Sequence, residues 1–538
     1  MGIRHTVALV AITFLFGALT LRLYNVQIEK GAYYVARAGS RGDAFLEAAR
    51  GNVFFTDKNG TEIPAAIKKN YPAIYVVPKE VDDPDETAAE LAKVLRISEA
   101  EILKKLGAGD DPYESVAKKV SEEEAEAVRS LSLPGVYVEH MPLRFYPGEE
   151  VGAHLLGFVD GDGEGQYGVE AFYDAELRGK EGGRGGKGLE LPEDGQDVRL
   201  TVDRVIQGEA EKILKDLVRE HRAESGMAIV EDPKNGDVLA LAAYPAFNPN
   251  RYGEFDLKRF LNPVVQSIYE PGSVFKVITM AAGIDSGKIT PETEYIDRGE
   301  EKLDGYTIKN WDLVAHGRIT MTDVIERSVN TGTIFAEKTM GHGVFGSYLK
   351  RFGLAEKTGI DLPGEVVGSL KALAKGSGVQ YATASFGQGI SVTPIRLLAA
   401  VAAIANKGVT VEPRMTKSEE VVTLGRPISA ETSRKVTEMM VSAVDKAGVA
   451  KIEGYTVAGK TGTAFVPDFK NGGYTDEVIN TYVGFAPARD PRFAILIRID
   501  KPEGAPVAGL TVVPAFRDLA QFILNYYNVP PDRRTGER

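Results

Sequence analysis

The chain of 538 residues contains no cysteine, which excludes disulfides, thiolate metal sites and cysteine nucleophiles together. Histidine is scarce: there are six, and no two have the spacing of a metal site, so a histidine-built metal centre is not expected. A basic excess is also missing. The formal net charge is -12 and no long basic run offsets it, which argues against a protein that tracks nucleic-acid phosphates. What remains is ordinary globular composition, 43% hydrophobic and 26% charged, at a length that suits two to four domains.

After a short start, 1–5, an uncharged apolar run extends from Thr6 to Leu21 and continues past Arg22 into Leu23. Its length is slightly under the roughly 20 residues of a bilayer span, and Arg22 can snorkel at the far interface. A cleaved signal peptide is the competing reading, but no small-x-small site follows the run. An uncleaved single-pass anchor over 6–23 is the expectation, with the short end inside and everything after it outside the cytoplasm. Residues 24–197 read as a mixed scaffold of short elements. They include strand pieces around the Asp57-Lys58-Asn59-Gly60 turn, a strand Tyr71–Val77, helices Glu86–Leu106 and Glu122–Leu131, and a glycine-rich connection Lys180–Gly188. Within it, Asp160-Gly161-Asp162-Gly163-Glu164-Gly165 imitates the start of a calcium loop. The twelfth position is Ala171 instead of glutamate, so a glycine-rich turn is expected.

From Val198 the pattern becomes regular. Asp203 can cap a helix to about His221, and Met227–Glu231 and Asp237–Ala242 form a hairpin around Asp232-Pro233-Lys234-Asn235-Gly236. A mostly helical block, Met321 to about Ala405, precedes three strands, Thr456–Phe465, Asn480–Ala486 and Phe493–Asp500, and a closing helix Phe516–Tyr527. Strands from both ends with helices inserted between them predict an α+β domain over 198–528, an antiparallel sheet flanked by helices. The polar end, 529–538, is expected to be disordered.

Chemistry concentrates at three places. Pro271 and Gly272 precede a run with the apolarity of a fully buried helix, in which Ser273 stands near the start and Lys276 is the only charge from Val274 to Gly283. Three residues apart, both project from one face. Burial lowers a lysine's pKa, and a neutral amine beside a hydroxyl can act as a general base. The pair alone equally fits a snorkelling lysine beside an ordinary helix-start serine. Ser328-Val329-Asn330 lies in a bend between two helical patterns, where capping would explain it as well. Lys460-Thr461-Gly462-Thr463 lies in a strand, where Gly462 permits close approach.

Together and in this order the three match the serine, S-x-N and K-T-G set of penicillin-binding proteins and serine β-lactamases. The chain resembles a class B penicillin-binding protein, also through Arg144-Phe145-Tyr146-Pro147, Gly168-Val169-Glu170, Tyr269-Glu270-Pro271-Gly272-Ser273, Thr358 to Glu365 and Phe386-Gly387-Gln388-Gly389-Ile390. The resemblance implies a penicillin-binding transpeptidase domain after an elongated mixed pedestal and one membrane helix. It implies a D,D-transpeptidase that cross-links peptidoglycan stem peptides through an acyl-enzyme on Ser273, releases terminal D-alanine, and is acylated by β-lactams. In that reading Lys276 takes the serine proton, Ser328 relays it, Asn330 holds Lys276 and substrate, and Lys460 supplies positive potential. Thr461, Gly462 and Thr463 bind the substrate carboxylate end, and the backbone N–H groups of Ser273 and Thr463 form the oxyanion hole. No cofactor or metal is implied. A glycosyltransferase of the shape, elongation, division and sporulation (SEDS) family is the implied partner. Asn310-Trp311-Asp312, His316-Gly317 and the short Gly168–Asp197 connection look more like division-type than elongation-type relatives.

The sequence departs from the family at Leu261-Asn262, where Arg-Asn is frequent, and at Val274, where threonine is. A membrane-anchored β-lactamase or D,D-carboxypeptidase, and a non-catalytic β-lactam sensor or scaffold, are the alternatives. The large region before Val198 favours a transpeptidase.

Overall fold

The computed structural model describes residues 3–24, 28, 48–107, 114–185, 188–468, 470 and 472–533. The chain divides into two compact units: 1–51 with 67–145 and 175–196, and 52–66 with 146–174 and 197–538.

In the first unit, the 67–76 part of the strand Glu62–Val76 pairs antiparallel with Val136–Phe145 and with Glu114–Ala117. The expected strand Tyr71–Val77 is therefore the end of a longer one. Helices Pro84–Leu95 and Glu99–Leu106 replace the single helix expected over Glu86–Leu106. The break has a local cause: Arg96 turns left-handed at φ 56, and Ser98 restarts the helix by accepting from the Glu101 N–H. Ile74, Val76, Leu91, Ile102, Val116 and Val128 close this unit's core. The glycine-rich connection contains a short antiparallel pair, Gly183–Gly185 with Gly188–Glu190. The apolar run expected as an anchor lies in a helix, Ile3–Tyr24, whose side chains before Ile12 fall outside the described residues. Among the described residues no helix is long and apolar enough to cross a membrane, so the membrane-spanning reading is not carried by the structure.

The main sheet of the second unit is antiparallel, with five strands β1 (Ser225–Glu231), β2 (Val238–Tyr244), β3 (Ala458–Pro467), β4 (Tyr474–Ala486) and β5 (Phe493–Asp500) in the order β2-β1-β5-β4-β3. The two strands from before the helical block thus pair beside the three from after it, as the pattern predicts. Asp203 caps the helix Arg204–Glu220 by accepting from the Val205 and Ile206 N–H groups. That helix presents Ile206, Ala210, Leu214, Leu217 and Val218 at helical spacing to the sheet, where Phe516, Leu519 and Ile523 of the closing helix Val512–Tyr526 join them. Full burial of each such large side chain contributes about 1.5–3 kcal/mol. Gln207 from the same helix exchanges two hydrogen bonds of 2.8 Å with the backbone of Leu241, which satisfies peptide groups on the edge strand β2.

The Asp160–Gly165 stretch is the expected turn, with Asp160 Oδ1 accepting from the Asp162 and Glu164 N–H groups. The polar end is held as far as Arg533. Asp532 accepts from the Thr456 N–H, and Arg533 forms a two-armed ion pair with Asp445 at 2.7 and 2.6 Å. Polar composition signals disorder here, but the charged and polar side chains find partners distant along the chain. Residues 534–538 lie outside the described residues.

Candidate active site

The serine segment is built from glycines in close contact. Gly272, at φ +58, starts a 3-10 turn, Gly272–Phe275, that runs directly into helix α1, Lys276–Asp285. Its N–H donates to Gly387 O at 3.1 Å, and a Cβ on Gly387 would sit 2.3 Å from Gly272 O. Only glycine fits at this crossing. The side chains from Lys276 to Ile284 are all buried, as the uniformly apolar run predicts. Ser273 is half-buried between buried Gly272 and Val274, so it lies where the segment reaches the surface.

The S-x-N bend forms between α2 (Met321–Arg327) and α3 (Asn330–Met340). Thr320 and Asp323 make a reciprocal capping box at the start of α2. Ser328 ends that helix in the left-handed region at φ 58, a conformation that costs a non-glycine residue about 1–2 kcal/mol. Its hydroxyl lies between two lysines. Lys276 Nζ is 3.2 Å from Ser328 Oγ, 2.5 Å from Ser328 O and 2.8 Å from Asn330 Oδ1. Lys460 Nζ is 3.0 Å from the same Ser328 Oγ, and 3.0 and 3.2 Å from Thr461 O and Oγ1.

These distances sharpen the role of Lys276. Its partners among the described residues are Ser328 and Asn330; no hydrogen bond joins it to the Ser273 hydroxyl, although the two stand about one turn apart. Catalytic hydrogen bonds are often completed only when substrate is bound. Burial, with Lys276 0% exposed, drives its pKa well below the ordinary lysine value; the nearby Lys460 charge adds to this and Asp312 opposes it. Burial also lowers Lys460, to about 7. Both shifts run toward the neutral amine, because burial disfavours the charge on each lysine.

Strand β3 carries the third motif. Lys460 is buried, and Thr461 and Thr463 are half-buried. A Cβ on Gly462 would meet Val274 Cγ2 at 2.7 Å and Pro271 O at 2.9 Å, so the missing side chain is what lets β3 lie against the serine turn. Thr463 Oγ1 accepts from the Ala508 N–H at 3.2 Å, which leaves its proton for another acceptor. A serine hydroxyl, a buried amine, a second amine and two threonine hydroxyls thus converge, a set suited to acyl transfer from a substrate ending in a carboxylate. Among the described residues no group of His, Asp and Glu could hold a metal ion.

The departures from the family also find places. Asn262 is buried and caps Pro263–Gln266 by accepting from the Val264 N–H, while Leu261 is 47% exposed. Val274 is wholly buried against Gly462. Two residues that the sequence offers only as members of resemblance stretches turn out to be supports of the site. Glu270 ties the serine segment to its surroundings, accepting from the Gly389 N–H at 3.1 Å and from the Tyr474 hydroxyl at 2.9 Å. Asn310 accepts from the Asn330 and Thr331 N–H groups at 3.1 and 3.2 Å. Nothing local in the sequence signals either contact, because each joins segments distant along the chain.

Comparison with known proteins agrees with this geometry. A model of the penicillin binding protein transpeptidase domain matches residues 226–521, and a penicillin-binding protein dimerisation domain matches 45–201. Stage V sporulation protein D of Bacillus subtilis is 34% identical over 92% of this chain and 80% of its own length. The peptidoglycan D,D-transpeptidase FtsI of Escherichia coli is 30% identical over 98% of this chain and 92% of its own. Among solved structures, penicillin binding protein 3 of Mycobacterium tuberculosis complexed with aztreonam superposes with a TM-score of 0.71 at 27% identity, covering 91% of this chain and 98% of that one. A peptidoglycan synthetase from Bifidobacterium adolescentis gives 0.72 at 27% identity, over 92% and 98%. Matched by both domain models and by relatives along nearly its whole length, the chain belongs to the class B penicillin-binding proteins.

Proposed function

We propose that this protein is a serine D,D-transpeptidase that cross-links peptidoglycan stem peptides. The observation that carries the reading is Ser328 Oγ within hydrogen-bond distance of both Lys276 and Lys460, beside the turn that presents Ser273. Lys276, as the neutral amine, takes the proton of Ser273 Oγ while that oxygen attacks the carbonyl of the penultimate D-alanine. The oxyanion forms against the backbone N–H groups of Ser273 and Thr463. The proton passes through Ser328 to the leaving nitrogen, the C–N bond breaks, and D-alanine departs. The amine of a second stem peptide then attacks the acyl-enzyme, gives up its proton by the reverse route, and frees Ser273. Lys460, Thr461 and Thr463 hold the substrate's terminal carboxylate, and Asn330 holds Lys276 and the substrate amide. β-Lactams acylate Ser273 by the first half of this sequence.

We propose further that residues 6–23 anchor the protein in the plasma membrane, with the catalytic unit outside the cytoplasm and a SEDS-type glycosyltransferase as partner. The uncharged run Thr6–Leu21 supports the anchor. A division-type role is favoured, since FtsI is among the relatives. Intact-mass measurement of the purified protein with penicillin tests the chemistry. A long-lived penicilloyl adduct on Ser273 is expected, whereas rapid turnover of penicillin would assign hydrolase chemistry instead.

A further inference from the structure

A buried carboxylate outside the three motifs, Asp297, is hydrogen-bonded to Asn310, whose other amide atom bonds the start of α3. Asp297 is 2% exposed and ends the strand Glu294–Asp297. Its Oδ1 accepts from the Gly299 N–H at 2.9 Å and the Thr331 hydroxyl at 2.6 Å. Its Oδ2 accepts from Asn310 Nδ2 at 2.9 Å and the His316 N–H at 2.8 Å. Four donors fill the acceptor sites of an ionised carboxylate, and they come from three separate segments. These bonds outweigh the cost of burial and keep its pKa below the ordinary aspartate value.

The consequence passes from one amide to the next. Because Asn310 Nδ2 must face Asp297, and also donates to Val314 O at 3.0 Å, its Oδ1 must face the first N–H groups of α3. That fixes the start of α3, where Asn330 donates through Nδ2 to Lys309 O at 2.9 Å and so turns Oδ1 toward Lys276 Nζ at 2.8 Å. We infer that Asp297 is a positioning residue: through Asn310 and then Asn330 it sets the orientation of the acceptor that holds Lys276 in line for proton transfer. The inference rests on the proposed role of Lys276 as general base. Asparagine cannot substitute, because its NH₂ would face two of the four donors.

The charged groups facing Lys276 are Lys460 from β3 and Asp312 from the segment after Tyr306–Lys309. Asp297→Asn removes neither charge, and a shift of the 310–316 segment away from Lys276 would weaken the opposing effect of Asp312 and so move the profile in the same direction. Loss of the Asn330 acceptor removes a bond that favours the ammonium form of Lys276, so deprotonation becomes easier while aim is lost. The test is the second-order rate constant for acylation by a fluorescent penicillin, measured across pH with the titration endpoint. For Asp297→Asn we expect a fall of about 10- to 100-fold, an acid limb moved to lower pH, and an endpoint still near one label per chain. Thr331→Val, which removes one donor to Asp297 and the 3.2 Å contact of the Thr331 hydroxyl with Asn310 Oδ1, shifts the profile in the same direction with a smaller fall. If Asp297→Asn does not fold, the profile of Thr331→Val decides. An unchanged rate and profile overturns the inference, as does a lowered endpoint with an unmoved profile, which marks a purely structural role. An unmodified protein that is not acylated at all instead removes the reading of Lys276 on which the inference stands.

Discussion

Replacing Gly462 by alanine tests the contact that joins the third motif to the first. The added methyl would lie 2.7 Å from Val274 Cγ2, 2.9 Å from Pro271 O and 3.3 Å from Val274 N. Ordinary contact begins near 3.4 Å, so β3 and the serine turn must separate by about 0.7 Å. Two of the three atoms are backbone, and Val274 is fully buried, so a rotamer change cannot absorb the clash. Overpacking of this kind costs about 1–3 kcal/mol of stability. The larger effect is on geometry: displacement approaching 1 Å between nucleophile and supporting groups costs up to about 100-fold in rate. Gly462→Ala should therefore remain folded with a melting temperature lowered by several degrees, while its penicillin acylation constant falls at least tenfold. Gly425→Ala, whose methyl would meet nothing within 4 Å, is the control and should change neither. A Gly462→Ala protein that acylates and melts like the unmodified chain would refute the close approach.

Removing Lys460 as Lys460→Gln takes away a charge that depresses the Lys276 pKa, so the acid limb of Ser273 acylation should move to higher pH; a limb that stays in place contradicts the coupling. Ser328→Gly relieves the left-handed strain but deletes the relay hydroxyl, so it should melt higher while acylating about 10²-fold or more slowly. Equal or faster acylation would remove Ser328 from the mechanism. Glu231 is buried, neither of its carboxylate oxygens has a hydrogen-bond partner among the described residues, and burial raises its pKa to about 8. Between the ordinary glutamate value and about 8 the folded state binds the extra proton, so this group lowers stability as pH rises through that window. Glu231→Gln should match the parent's melting temperature near pH 5 and exceed it at pH 8; parallel curves would contradict this.

The sequence exposed those parts of the structure that rest on local chemistry. The Asp203 cap, the Asp232–Gly236 hairpin turn and the apolar face at Ile206, Ala210 and Leu214 each require only neighbours along the chain, and each element formed where its signal lies. The helix break at Arg96 was not readable, because the apolar period continues through it and one left-handed residue ends the helix. At the site, the three motifs announced which residues converge but not how they pair. That Lys276 engages Ser328 and Asn330, and that Ser328 also takes Lys460, depends on the register of β3 against α1 and on the bend before α3. Asp297 and Asn310 were least legible. An aspartate ending a short strand has no distinctive pattern, and its importance comes from four donors gathered across the fold.

The central claim is acyl transfer through Ser273 to an amine. Incubating the full-length protein with nascent, uncross-linked peptidoglycan and measuring D-alanine release together with cross-linked dimer tests it most directly. The account predicts the two products in equal amounts, and neither from Ser273→Ala. D-Alanine release without dimer, or dimer formation that survives Ser273→Ala, would contradict it.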